Sequence, residues 1–133
     1  MMKKGETYLA PRHTVAVVDD DHGVRAALCN LLDSAGYRGC AFPGGEEFLA
    51  ADLRGIACAI VDIGLARMDG FELAERLAPL RPGLPLIFIT ARGDALQRRR
   101  SAGLGAALLP KPVDADTLLA LLRDAILASG APD

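Results

Sequence analysis

Four places in this chain set a polar side chain with chemical potential immediately beyond a short apolar run. Asp19 and Asp20 follow Val15-Ala16-Val17-Val18, and Asp62 follows Ala57-Cys58-Ala59-Ile60-Val61. Thr90 follows Leu86-Ile87-Phe88-Ile89, and Lys111 comes one residue after the weaker run Ala106 to Leu109. Oxygen ligands with no His or Cys beside them suit a hard divalent cation, Mg²⁺ in preference to zinc. A carboxylate is also a nucleophile toward phosphorus. Phosphoryl transfer requires positioning and charge neutralisation more than further covalent help. Lys111 supplies a compact positive charge, and the Thr90 hydroxyl and the Ala91 backbone N–H supply donors for phosphoryl oxygens. Asp21, the third aspartate in a row, reads as a helix cap instead.

These residues meet only if the runs are neighbouring strands of one sheet. From about Thr14 onward, strand-length apolar runs alternate with segments of helical period. Val24, Leu28, Leu31, Leu32 and Ala35 mark the first helix, capped by Asp21 and stopped at Gly36. Tyr37 to Phe42 reads as a second strand, with a short helix through Glu46, Phe48 and Leu49. Leu73, Leu77 and Leu80 mark a helix that Pro79 and Pro82 help to end. A helix from Asp94 to Ala102 and a last one from near Asp114, carrying Leu118, Leu119, Leu122 and Ile126, complete the series.

Five strands alternating with helices predict an α/β fold, a doubly wound parallel sheet covered on both faces. Pro110 cannot donate to a ladder, which puts the fifth strand at an edge. In such a sheet the site lies beyond the carboxyl ends of the strands. Strands are only about 4.8 Å apart, so three carboxylates there raise one another's pKa unless a cation sits among them.

At 133 residues, with 51% hydrophobic and 24% charged residues, the chain has the composition of one folded domain. A net charge of −2 gives no reason to expect direct nucleic-acid binding, and Arg98, Arg99 and Arg100 read as a solvated helix face. No window approaches the roughly 18 apolar residues of a membrane span. Cys29, Cys40 and Cys58, odd in number and in apolar settings, read as buried thiols of a reducing compartment. The expected location is the cytoplasm.

Val-Val-Asp-Asp-Asp at 17–21, Val-Asp-Ile-Gly-Leu-Ala-Arg-Met-Asp-Gly at 61–70, Ile-Thr-Ala at 89–91 and Lys-Pro at 111–112 resemble the signature blocks of response-regulator receiver domains. The resemblance implies a flavodoxin-like sheet in the order 2-1-3-4-5, with a receiver over 13–129, an N-terminal extension over 1–12 and a tail over 130–133. It implies Asp62 as phosphoacceptor and Asp20 as a direct Mg²⁺ ligand, with Asp19 assisting and the Gly64 carbonyl completing the set. Thr90 becomes the switch hydroxyl, and Lys111 holds the acceptor and then the phosphate. The donor is a sensor histidine kinase or histidine phosphotransfer protein. The chain is then no enzyme beyond Mg²⁺-dependent self-phosphorylation and slow self-dephosphorylation. Its output face is the fourth helix, fifth strand and fifth helix, in a monomer or a phosphorylation-dependent dimer.

The wording around Val24-Arg25, Glu47-Phe48-Leu49 and Ile87 to Asp94 is similar to the subgroup joined to LuxR-type DNA-binding domains. That leaves two forms open, a stand-alone regulator or the receiver of a transcription factor. Three positions depart from the pattern: Ala66 replaces a common proline, Leu108 replaces the aromatic that swings as the Thr reorients, and Pro110 precedes the lysine. These departures keep a second reading in view, a receiver-like interaction module that signals without phosphate. A small metal-dependent phosphatase lacks a suitable second acid–base residue. The resemblance also implies a cis Lys111-Pro112 bond, a minority state for X–Pro bonds in general.

Overall fold

The computed structural model describes residues 12–130, so most of the expected extension and the last three residues of the tail lie outside the described residues. Ten elements alternate along the described residues: β1 (Thr14–Val18), α1 (His22–Ser34), β2 (Arg38–Phe42), α2 (Gly45–Leu49), β3 (Ile56–Asp62), α3 (Gly70–Leu80), β4 (Leu86–Thr90), α4 (Ala95–Gly103), β5 (Ala107–Pro110) and α5 (Ala115–Ala128). All strand pairs are parallel, in the order β2-β1-β3-β4-β5. That is the order the resemblance implied, and β5 with its proline is the outer strand.

Aspartates start four of the helices. Asp21, Asp69, Asp94 and Asp114 each accept the N–H three residues on, at 3.1, 2.8, 2.9 and 2.9 Å. Each bond satisfies a donor that the first helical turn would leave unpaired. Gly36, at φ 92°, takes the left-handed conformation just past α1 that a side chain would strain. Pro79 does not end α3 where it stands. It lies inside the last turn, and the helix continues to Leu80 before Arg81 N–H closes on Leu77 O at 2.8 Å. So late in a helix, a proline forfeits one ladder bond with little helix left to disrupt.

Because successive strand residues point to opposite faces, the sheet sorts its side chains into two cores. Val15, Val17, Cys58, Ile60, Ile87, Ile89 and Leu109 pack with Leu28 and Leu32 of α1 and Leu118, Leu122 and Ile126 of α5. Ala16, Val18, Ala59, Val61 and Phe88 pack with Phe48 of α2 and Phe71, Leu73 and Leu77 of α3. Burying one such aliphatic side chain contributes about 1.5–3 kcal/mol. Of the three thiols only Cys58 is buried, and burial pushes its pKa up to about 12. Cys29 and Cys40 are only half-buried, contrary to expectation, because they sit where α1 meets the outer strand β2.

The approach of α3 to the sheet is closest at its first residue. A Cβ on Gly70 would lie 2.8 Å from Asp62 O and 2.9 Å from Ile63 Cα, both backbone atoms. Gly70 N–H also donates to Ile63 O at 2.9 Å. Gly70→Ala is therefore expected to destabilise the fold by about 1–3 kcal/mol through overpacking, although alanine is the better helix former. A denaturant midpoint at or above that of the wild type would contradict this close approach.

Candidate metal and phosphoacceptor site

Strand register builds the site before any side chain does so. Val18 lies opposite Val61, which sets Asp19 and Asp62 side by side at the next step. Asp62 lies opposite Ile89, Thr90 lies opposite Pro110, and Lys111 N–H closes the strand ends by donating to Thr90 O at 2.8 Å. The sequence-predicted residues Asp19, Asp20, Asp62, Thr90 and Lys111 therefore gather at one end of the sheet. The Lys111-Pro112 bond is cis, as the resemblance implied.

Asp19 is fully buried and Asp62 is 5% exposed, while Asp20 faces solvent. One carboxylate oxygen from each of the three lies within 4.8 Å of the others. The Lys111 ammonium sits between the two buried ones, Nζ being 2.9 Å from Asp19 Oδ2 and 3.2 Å from Asp62 Oδ2. The remaining oxygens are held by backbone: Asp19 Oδ1 accepts from Asp21 N–H at 2.9 Å, and Asp62 Oδ1 from Gly64 N–H at 3.1 Å. Asp19 Oδ2 has the ammonium near it but makes no hydrogen bond of proper direction. Such a buried oxygen still calls for a positive partner.

The protonation balance follows from this crowding. Burial raises the Asp62 carboxyl above its ordinary pKa, and the Asp19 charge adds to the rise against the Gly64 N–H and Lys111. Burial alone would lower the Lys111 ammonium, but the carboxylates of Asp19 and Asp62 beside it outweigh that and hold it above its usual value. One lysine among three carboxylates leaves a local excess of negative charge. All the side-chain ligands are hard oxygens, a donor set that fits a divalent cation such as Mg²⁺.

Thr90 differs in direction from the acids. On β4 it has the parity of Phe88, whereas Asp62 on β3 has the parity of Ile60, on the opposite face. Its hydroxyl oxygen accepts from Arg92 N–H at 3.0 Å and lies 2.9 Å from both Arg92 O and Gln97 Oε1. A cleft of about 340 Å³ joins Asp62, Gly64, Thr90, Ala91, Gln97 and Lys111. Ala91 thus lines the same cleft as Asp62 and Lys111.

Two residues of the site went unnoticed in the sequence. Arg25 Nη1 donates to Asp19 O at 2.8 Å, so α1 fixes the backbone that presents the acid pair. Gln97 reaches Thr90 from α4. Its signal was Gln97 and Ser101 at i,i+4 on a helix without an apolar stripe, a polar seam where docking is usually greasy.

A profile of the response regulator receiver domain matches residues 15–123. The transcriptional regulatory protein FixJ of Bradyrhizobium diazoefficiens is 34% identical over 129 residues, 95% of this chain and 58% of its own length. The DNA-binding transcriptional regulator NtrC of Salmonella typhimurium is 38% identical over 118 residues, 86% of this chain and 25% of its own. The chain thus spans little more than half of one relative and a quarter of the other. Among solved structures, a CheY-like response regulator receiver domain protein from Methanospirillum hungatei superposes with a TM-score of 0.82 at 28% identity. It covers 90% of this chain and 98% of its own.

A raised Asp62 pKa has a definite sign for stability. Its contribution is complete below the unfolded carboxyl value and is lost as pH rises through the folded value. In cation-free buffer, Asp62→Asn should therefore become more stable than wild type as pH rises through the folded value. Divalent cation should narrow the gap by binding the folded wild type. Thermal melts showing Asp62→Asn less stable throughout would contradict the assignment.

Proposed function

The chain belongs to the response regulator receiver domain family, and from that premise we propose that Asp62 accepts a phosphoryl group from a sensor histidine kinase or histidine phosphotransfer protein. The observation that carries this reading is the Asp62 carboxylate, 5% exposed and 3.2 Å from Lys111 Nζ, at the floor of an open cleft. A carboxylate oxygen of Asp62 attacks phosphorus, a new P–O bond forms, and the P–N bond to the donor imidazole breaks with its electron pair leaving on nitrogen. Asp20, Asp62 and the Gly64 carbonyl would hold Mg²⁺, with Asp19 assisting. When bound, that cation supplies neutralisation of charge on the acceptor and phosphoryl oxygens.

Lys111 holds Asp62 in place, then pairs with the phosphoryl group as it arrives. The Ala91 N–H and the Thr90 hydroxyl donate to phosphoryl oxygens once Thr90 turns from α4. The added charge of roughly −1.5 to −2 at pH 7 biases the face formed by α4, β5 and α5. The chain has no enzymatic turnover in this reading beyond self-phosphorylation and slow self-dephosphorylation. Among the described residues no helix is long and apolar enough to cross a membrane, which agrees with a cytoplasmic site of action. The names of the relatives, a transcriptional regulatory protein and a DNA-binding transcriptional regulator, support a DNA-binding output for this receiver. The receiver acts as a monomer or a phosphorylation-dependent dimer. A second reading, an interaction module independent of phosphate, draws on Leu108, a partly buried leucine at the position of the swinging aromatic.

With acetyl phosphate and Mg²⁺, intact-mass spectrometry should record the gain of one phosphate. Chelation and Asp62→Ala should each abolish it. Equal gain in wild type and Asp62→Ala would remove Asp62 as the acceptor, and no gain in either would favour the phosphate-independent module.

A further inference from the structure

The helix α4 is the least anchored of the longer helices. Ser101 is its one buried residue, and Leu96 stands 59% exposed. Between Ala91 and Arg100 every residue except Gln97 is exposed. Besides its junction with β5, α4 is tied down by the Arg100 guanidinium, 4.1 Å above the Phe71 ring, and by Gln97. An amide thus turns inward where amphipathic helices place an aliphatic residue.

We infer that Gln97 is a positioning residue whose side-chain carbonyl retains the Thr90 hydroxyl beside α4 in the unphosphorylated chain, and whose loss of that bond frees the first turns of α4. The inference deepens the phosphoacceptor reading and rests on it for the trigger. A hydroxyl has a single proton. Thr90 Oγ1 now presents it to Arg92 O and Gln97 Oε1, each at 2.9 Å. A phosphoryl oxygen on Asp62 would compete for that same proton, and an anionic acceptor makes the stronger bond. Winning the proton leaves the Gln97 carbonyl without its donor, and α4 without one of its few ties. The device needs no aromatic ring on β5, where Leu108 stands packed against the α3 core.

Gln97→Met tests this, since methionine keeps length and helix propensity but has no carbonyl to accept the proton. Without ligand, amides of residues 95–103 in Gln97→Met should exchange about 5–10-fold faster than in wild type, the worth of one net hydrogen bond. Beryllofluoride with Mg²⁺, a phosphoryl mimic, should speed the same amides in wild type and add little in Gln97→Met. It should also bind the variant more tightly by a similar factor. Thr90→Val combined with Gln97→Met should exchange no faster than either single variant, which a general loss of packing would not produce. Unchanged α4 exchange in Gln97→Met, with wild type still binding beryllofluoride, overturns the Gln97 inference and leaves the Asp62 reading intact. No beryllofluoride binding by wild type, with Asp62 unmodified by acetyl phosphate, overturns the phosphoacceptor reading and the release step with it.

Discussion

An ammonium group between two buried carboxylates, Lys111 between Asp19 and Asp62, is the contact around which the rest of the structure is arranged. Buried like charges repel strongly at low dielectric, and a single cation offsets only part of that. The fold tolerates the arrangement because the strand ends leave the acids no alternative position. Asp19 is pinned through its own backbone by Phe42 and Arg25, and through its side chain by Asp21 N–H. Asp62 is fixed by register on one side and by the close passage of Gly70 on the other. The remaining negative charge is the property that attracts a divalent cation, so the strain and the chemistry share one origin.

Parity divides the labour of the site. Asp62 projects on the same side as Ile60, toward the α1 and α5 core, and Thr90 on the same side as Phe88, toward α3. An event at the acid pair therefore reaches the opposite helical layer only through a side chain that crosses the strand ends. Thr90 occupies that crossing point, and its hydroxyl is bonded to the helix with the weakest apolar hold on the sheet. In the proposed switch, this bond links events on one face to helix position on the other.

Most of the fold and the acid cluster could be read from the sequence. Parallel strands buried on both faces give unbroken apolar runs, and a polar residue ending such a run is conspicuous. Strand boundaries moved by a residue or so: β2 begins at Arg38 and β5 runs from Ala107 to Pro110, because pairing partners rather than composition decide where a ladder stops. Arg25 was not legible and Gln97 left only a faint polar seam, since their roles depend on how a helix is rotated about its axis and on one hydrogen bond each. The half-burial of Cys29 and Cys40 was missed for a related reason: apolar neighbours in sequence do not reveal how completely α1 covers the outer strand β2.

Pro110 closes the strand β5 on the outer side of the sheet. Lys111 N–H turns inward to Thr90 O, so by the alternation of a strand the Pro110 nitrogen faces outward, where it interrupts no bond of the existing ladder. An intruding strand from another molecule would find no donor at that point, and its hydrogen bonding would break beside the signalling centre. The rim is thus guarded against unwanted polymerisation. Assembly on this side is thereby biased toward helix surfaces, which can shift and separate, over extension of a sheet that would hold on regardless of signal.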